Sequence, residues 1–423
     1  MTRWSVCCFT RPVGQIVETQ SLVNTYAWDV LLLENSVQNY DWGSFHEIPA
    51  FLGDAPSSEP VAELWIGTHR LGPSSVVDSN GVRRLLSDVA GELPFMLKVL
   101  SARRPLSLQV HPGLDLAREG FKAENAAGIP VGAPERSFKD PNHKPEMVYA
   151  LSTFDMMAGF RPTAEILRVL APIETSLARR LRDRLTTDPG FAGIVQLVEW
   201  LVTERPSADE IEALVRACRD LLDQGVDIKR AYATALMVRE EFPNDVGVVV
   251  ALLMNRLTLQ PGEAAFLGAG MLHAHLKGLC LEAMANSDNV LRAGLTTKHI
   301  DAEALVRCLD AGMSRLARVT PMVTSAGVEV FDPAAGEFAL AVAQSSTAYA
   351  EGVELFGEGH RLVICSAGEV ECVNASEERT KLRRGESLYA GPEDGTLTVH
   401  GTGETAQVFL PFQGGRNTLI DLV

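Results

Sequence analysis

The sequence is poor in the features that mark several large protein classes. No stretch approaches the ~18 consecutive apolar residues of a membrane span. The first thirty residues carry Arg3 and Arg11 but no continuous apolar segment, so neither a secretory signal nor a membrane partner is expected. Basic residues are the minority, with 38 Lys and Arg against 54 Asp and Glu and a formal net charge of -16. Such an acidic field repels nucleic acid and anionic lipid, and an anionic small-molecule substrate would need a local basic pocket to enter it. The 7 cysteines are odd in number and show no metal-finger spacing. Reduced thiols in a cytoplasm are the simplest reading. For Trp4, Cys7, Cys8 and Phe9, in the 1–30 extension, the sequence supplies no function.

What remains is globular, with 46% hydrophobic and 22% charged residues, and 423 residues exceed one ordinary core. Residues 31 to 160 read mainly as short strands and turns. "VVDSNGVRRLL" carries an Asn-Gly hairpin signal, and "SDVAG" predicts a short helix. "LPFMLKVLS" and "PLSLQVHP" are apolar runs punctuated by proline, as in a β-sandwich or barrel. From Thr163 the apolar spacing becomes helical, through "FAGIVQLVEWLV" and "SADEIEALVRACRDLLDQG". Ser207 with Glu210 predicts a capping box, and Gly225 a helix stop. Strand texture returns at "RLTLQPGEAAFLGAGMLHAHL", "DAEALVRCL" predicts a short helix, and Gly-punctuated strands fill the rest as a second small β-barrel or jelly roll. The expected organisation is an extension over 1–30, a β domain over 31–162 and 251–319, a helical domain over 163–250 and a C-terminal β domain over 320–423.

"PLSLQVHPG" raises the chemical question. On a strand Ser107, Gln109 and His111 share one face, opposite Leu108 and Val110. "DPNHKPEMV" adds His143 and Glu146. "GMLHAHLKG" adds His273 and His275, again two apart. Zinc accepts imidazole and carboxylate ligands, and catalytic sites leave a position open. Against this, a lone histidine in a strand is usually satisfied by local hydrogen bonds. Residue types alone leave both readings standing.

Six stretches, in order, resemble type I phosphomannose isomerases, zinc enzymes of the cupin superfamily. They are "VQNYDWGS" (37–44), "AELWIGTH" (62–69), "LPFMLKVLSARRPLSLQVHP" (93–112), "DPNHKPEMVYAL" (140–151), "MAGFRP" (157–162) and "LEAMANSDNVLRAGLTTKHID" (281–301). The resemblance implies a mainly β protein with a helical insertion: a catalytic cupin jelly-roll barrel, a C-terminal jelly-roll domain and an α-helical domain. It also implies interconversion of mannose 6-phosphate and fructose 6-phosphate through an enediol, with one Zn2+ per chain, a monomer and a cytoplasmic setting.

Carried over by position, the resemblance implies zinc ligands at Gln109, His111, Glu146 and His273. Arg292 matches the family's catalytic arginine, and Lys98 and Lys144 match lysines near the cavity and are catalytic candidates, to contact sugar hydroxyls, polarise the base or neutralise phosphate. Glu282 is the candidate proton-transferring carboxylate, on the expectation that burial raises its pKa. Ser107, Arg292 and Lys298 are candidates for the phosphate side. Trp42 and Trp65 are read as packing or cavity-wall aromatics, Trp42 with the sharper reading of a platform under the sugar. His275 departs from the family's usual tyrosine and is read as a substrate contact rather than a ligand. His143 and His400 are read as structural, and Arg103 and Arg104 as solvated. Two rivals remain: another metal-dependent cupin enzyme, with Fe(II) held by two histidines and a carboxylate, and a non-catalytic sugar-phosphate-binding relative. A bifunctional isomerase–guanylyltransferase is set aside, because no Gly-rich nucleotidyl loop is present at the N-terminus.

Overall fold

The structure is a computed structural model that describes residues 31–77, 81–311, 317–349 and 351–411. The expectations for residues 1–30, including Trp4, Cys7, Cys8 and Phe9, lie outside the described residues. Two 11-stranded antiparallel sheets organise the chain. One has the order Ala317–Val319, Ala264–Leu267, Glu146–Ala150, His273–Ala285, Phe95–Ala102, Glu63–Ile66, Ser36–Gln38. The pleat of Phe95–Ala102 is buried along its whole length, as its near-continuous apolar run requires.

The 13-residue strand His273–Ala285 serves two layers. Its C-terminal part pairs with Phe95–Ala102 and Glu146–Ala150. Its N-terminal part pairs with Phe154–Phe160, and at His273 with Leu108–Val110. The corner falls at Gly278, where φ is +125° and a Cβ would lie 2.6 Å from the Thr153 carbonyl. Only glycine fits such a bend with a neighbouring backbone that close.

The helical segment does not stand apart from the sheet. Helices Thr163–Leu170, Ser176–Thr187, Phe191–Glu204, Ala208–Asp223, Ala231–Glu241 and Gly247–Leu253 share one apolar core with Leu108, Val110, Ala274, Leu276, Leu291 and Ala293. The alternate residues on those strands, Gln109, His275 and Arg292, line a cavity on the other face. Period-two alternation thus divides the strands between a helical core and a chamber.

Local signals act as expected. Ser207 and Glu210 form the reciprocal capping box. Gly225 ends that helix at φ +79°, with its N–H donating to Leu222 O and Val226 N–H to Leu221 O, a Schellman closure. Strands Ser75–Val77 and Arg83–Leu85 pair antiparallel, while Asn80 of the expected Asn-Gly turn lies outside the described residues. Helix Leu114–Ala126 replaces the strands and turns expected in that region. It buries only Ala117 fully, so its apolar stripe is too thin to register in the sequence.

The second sheet runs Met322–Val323, Glu329–Phe331, Ala339–Ser345, Thr398–Phe409, Arg361–Val373, Ser387–Ala390, Leu31–Glu34, Ser75–Val77, Arg83–Leu85. Leu340, Val342, Leu362 and Ile364 pack across to Leu97, Val99 and Leu281 of the first sheet. Ala341, Val363 and Cys365 face a separate core. His400 pairs with Glu371 in the backbone ladder between Arg361–Val373 and Thr398–Phe409. Leu31–Glu34, early in the chain, is paired with Ser387–Ala390, so the first described strand joins the C-terminal part in one sheet.

Removing the Ser207 hydroxyl orphans a helix N–H. Ser207→Ala is expected to cost about 1 kcal/mol of stability, read by chemical denaturation.

Candidate active site

The cavity encloses about 610 Å3. Glu146 lines it, and at this end, its base, three buried acceptors converge. His111, just past Leu108–Val110, hydrogen-bonds through Nδ1 to Asn289 O at 2.7 Å. His273, opening its strand, does the same to Met271 O at 2.9 Å. A carbonyl only accepts, so each Nδ1 carries a proton and each Nε2 presents a lone pair. Both Nε2 atoms lie 3.3 Å from Oε2 of Glu146, and neither has a hydrogen-bond partner. Burial, with the nearby Lys144 charge, lowers the His111 pKa to about 4, so its ring is neutral at physiological pH. Burial alone would raise the Glu146 carboxyl, but the Lys144 ammonium beside it holds it well below its ordinary value. Lys144 Nζ sits 2.7 Å from Glu146 Oε1. Two imidazole lone pairs and a carboxylate oxygen, mutually within 4.8 Å and buried, form a donor set suited to a divalent cation. Gln109 lies directly across the ladder from His273 and also from Arg292, and lines the cavity.

Above this base runs a buried charge ladder. Neighbouring strands place Trp65 opposite Lys98 and Lys98 opposite Glu282. Lys98 Nζ is 3.5 Å from Glu63 Oε1 and 3.3 Å from Glu282 Oε2. Glu63 also accepts from Trp65 Nε1 at 2.7 Å, and Glu282 meets His275 Nε2 at 2.9 Å. Burial opposes the Lys98 charge, yet Glu63, Glu282 and Glu146 outweigh it and raise its pKa. The expectation of a raised Glu282 pKa is corrected. Burial and Glu146 push it up, but Lys98 and His275 more than compensate, so it is lowered and Glu282 is a carboxylate at neutral pH. Nδ1 of His275 is buried without a partner.

Ser107, Trp42, Arg292 and Lys298 line the same cavity. Trp42 is half-buried and stacked on Tyr40, with ring centroids 5.7 Å apart. Arg292 and Lys298 form no ion pair among the described residues; burial lowers both, and Arg292 lowers Lys298 further. Arg103 and Arg104 are not simply solvated. Arg103 donates to Gly43 O and Asp41 O, while Arg104 lines the cavity and bridges Asp41 at 2.5 Å and Glu241 at 3.0 Å. His143 contacts Glu337 of the C-terminal part through Nε2, a structural tie.

Sequence reasoning missed Asn289. It is fully buried. Its Oδ1 accepts from Lys139 N at 2.7 Å, and its Nδ2 donates to Asp140 O at 2.7 Å and Asn142 O at 2.8 Å. One asparagine therefore fixes the turn leading to Lys144 while its own carbonyl orients His111. The run of Ser287, Asp288 and Asn289 beside Arg292 was the available signal. Asp288 pairs with His69 at 3.2 Å and Arg70 at 2.8 Å. Burial would raise its pKa, but these partners lower it to about 2.

Lys98→Met leaves Glu63 and Glu282 buried without their cation and is expected to cost about 3–5 kcal/mol, read by denaturation. The depressed Asp288 pKa contributes about 2 kcal/mol, present in full above the unfolded carboxyl value near pH 4 and lost as pH falls towards 2. The stability gap between wild type and Asp288→Asn is therefore expected to hold from pH 7 to 5 and shrink below pH 4, in denaturation series at each pH.

The sequence model described as "Phosphomannose isomerase type I, catalytic domain" matches residues 30–163. Mannose-6-phosphate isomerase of Salmonella typhimurium is 36% identical over 403 residues, covering 89% of this chain and 98% of its own. The enzyme of the same name from Homo sapiens is 29% identical over 412 residues, covering 86% and 94%. The crystal structure of the Salmonella typhimurium enzyme bound to its substrate and zinc matches with a TM-score of 0.80 at 34% identity, covering 91% of this chain and 100% of that one. With a family model, full-length relatives and a common fold in agreement, the chain belongs to the type I phosphomannose isomerase family.

Proposed function

We infer that this chain is a zinc-dependent aldose–ketose isomerase that interconverts mannose 6-phosphate and fructose 6-phosphate. The observation that carries the reading is the base of the cavity: two oriented imidazole lone pairs converge on a buried carboxylate. His111, Glu146 and His273 would hold the Zn2+, with the Gln109 amide oxygen as fourth donor, supported by its place beside His273. Neutral imidazoles, an amide and one carboxylate leave the ion net positive, and it then supplies Lewis-acid stabilisation of negative charge developing on the substrate.

The reaction moves a proton between C1 and C2 through an enediol. Glu282 is the proposed proton carrier. Lys98 and His275 hold its carboxylate ionised and oriented, the form a proton acceptor needs. Arg292 faces the cavity with no carboxylate neutralising it among the described residues, which suits stabilisation of enediolate charge by a permanently protonated group. Lys144 holds Glu146, and Lys98 holds Glu282, so both lysines are assigned to preparing carboxylates. Ser107 and Lys298 are assigned to the phosphate end, with Arg292 between them and the reacting carbons. Lys298 supplies a cation that forms no ion pair among the described residues of an acidic protein. Trp42 and His275 are assigned to contacts with the sugar.

The same reading takes the β unit of 31–162 and 251–319 as a cupin-type catalytic barrel, interrupted by helices 163–250 and followed by a jelly-roll unit over 320–423, with Leu31–Glu34, Ser75–Val77 and Arg83–Leu85 lent to the second sheet. Support comes from the corner at Gly278 and the alternation of cavity-facing residues. The reading also keeps the monomer of the family resemblance and a cytoplasmic setting. The five described cysteines are free and buried, which fits a reducing compartment, and no described helix is long and apolar enough to cross a membrane.

The test is turnover of mannose 6-phosphate to fructose 6-phosphate before and after chelation, with metal content measured alongside. Activity is expected to vanish with zinc removal and return on addition. Glu146→Gln is expected to lose bound zinc, whereas Arg292→Ala should keep it and lose at least about 100-fold in kcat. A folded, zinc-loaded protein without turnover would instead mark a sugar-phosphate-binding relative.

A further inference from the structure

Asp245 lies in the turn between helices Ala231–Glu241 and Gly247–Leu253. Its Oδ1 accepts from Gly247 N at 2.7 Å and from Leu295 N at 2.6 Å. Its Oδ2 accepts from Thr296 N at 3.3 Å. A carboxylate from the helical segment therefore grips the backbone just beyond the strand Leu291–Gly294. A helix-capping role would account for the Gly247 bond but not for the other two.

The gripped backbone is in a costly conformation. Leu295 is a buried non-glycine residue at φ +52°, following Gly294 at φ +145°. Helix and strand also approach backbone to backbone. A Cβ on Gly247 would lie 2.7 Å from Leu295 N, and one on Gly294 would lie 2.7 Å from Gly247 Cα. Left-handed leucine persists only where its surroundings over-determine it, and hydrogen bonds to a carboxylate are strong enough to do so.

The strand pattern breaks at the same place. The ladder to Leu108–Val110 shifts register between Arg292 and Gly294. Beyond the shift Leu295, Thr296, Thr297 and Lys298 all line the cavity. In a continuing strand only alternate residues would do so. Arg292 is secured by its own pairing with Gln109, whereas Lys298 hangs from the gripped segment.

We propose that Asp245 is a positioning residue that folds Leu295–Lys298 against the cavity and thereby aims Lys298 at the phosphate of the substrate. The assignment rests on the isomerase reading above and adds a role for the helical segment: it shapes the phosphate end of the site. Loss of the clamp therefore weakens substrate binding while leaving the metal base and Arg292 in place.

The experiment measures KM and kcat on mannose 6-phosphate, zinc content, and calorimetric affinity for inorganic phosphate in the zinc-loaded full chain. Asp245→Ala is expected to raise KM and weaken phosphate binding in parallel, each by about tenfold or more, with kcat and zinc content close to wild type. Asp245→Asn should be milder, since its amide oxygen still accepts from Gly247 and Leu295. Gly247→Ala should reproduce the effect with Asp245 intact by pushing the helix off Leu295, and it decides the matter if Asp245→Ala fails to fold. Folded variants with unchanged KM and phosphate affinity would overturn the proposal. So would loss of kcat with no change in KM, or a wild type that binds no phosphate. A wild type that binds phosphate without isomerising would sink the isomerase reading, and the phosphate affinities alone would then uphold or overturn the positioning role.

Discussion

The pleat of a strand admits two environments and no third. In His273–Ala285 this constraint sends Ala274 and Leu276 into the helical core and His275 into the chamber. The same strand turns at Gly278 and continues between Phe95–Ala102 and Glu146–Ala150, carrying Glu282 to Lys98. Slipping its register by one residue would bury imidazoles among leucines and expose leucines to the cavity. The helical core on one face therefore enforces the chemistry on the other.

That arrangement gathers charges which solvent would otherwise separate. Glu63, Lys98 and Glu282 are each almost completely buried. Each ion is costly alone, and the ladder is tolerable because every member has an opposite or hydrogen-bonding partner. The metal base differs. Its imidazole Nε2 atoms have no partner in the protein, so the buried polar set is completed by a cation from outside. The cavity is thus paired where it holds its own carboxylates, and left open at the two imidazole Nε2 atoms.

The helices add a second kind of control. Arg104 ties the cavity wall to Glu241 at the end of one helix, and Asp245 ties the rim to the turn that follows. The insertion is therefore part of the chamber wall, although its core is apolar and its residues carry none of the metal donors.

Much of the site was legible in the sequence because its signals are local. Gln109 with His111, and His273 with His275, announce one-sided polar pairs at strand spacing, and the Ser207 capping box needs only four residues. Family resemblance then joined segments that spacing alone left separate. Other features were silent for a physical reason. The lowered Glu282 pKa depends on Lys98 and His275, residues brought together by strand order and by the strand's own bend rather than by sequence proximity. Asn289 acts through its backbone carbonyl and buried amide, and Asp245 through a strained backbone 50 residues away. The sequence by itself determined which faces are apolar, where helices begin and stop, and which residue types are available for metal and phosphate. Only the tertiary structure decided which carboxylate meets which cation, because pairing in a buried site follows the register of neighbouring strands, and register is a property of the assembled sheet.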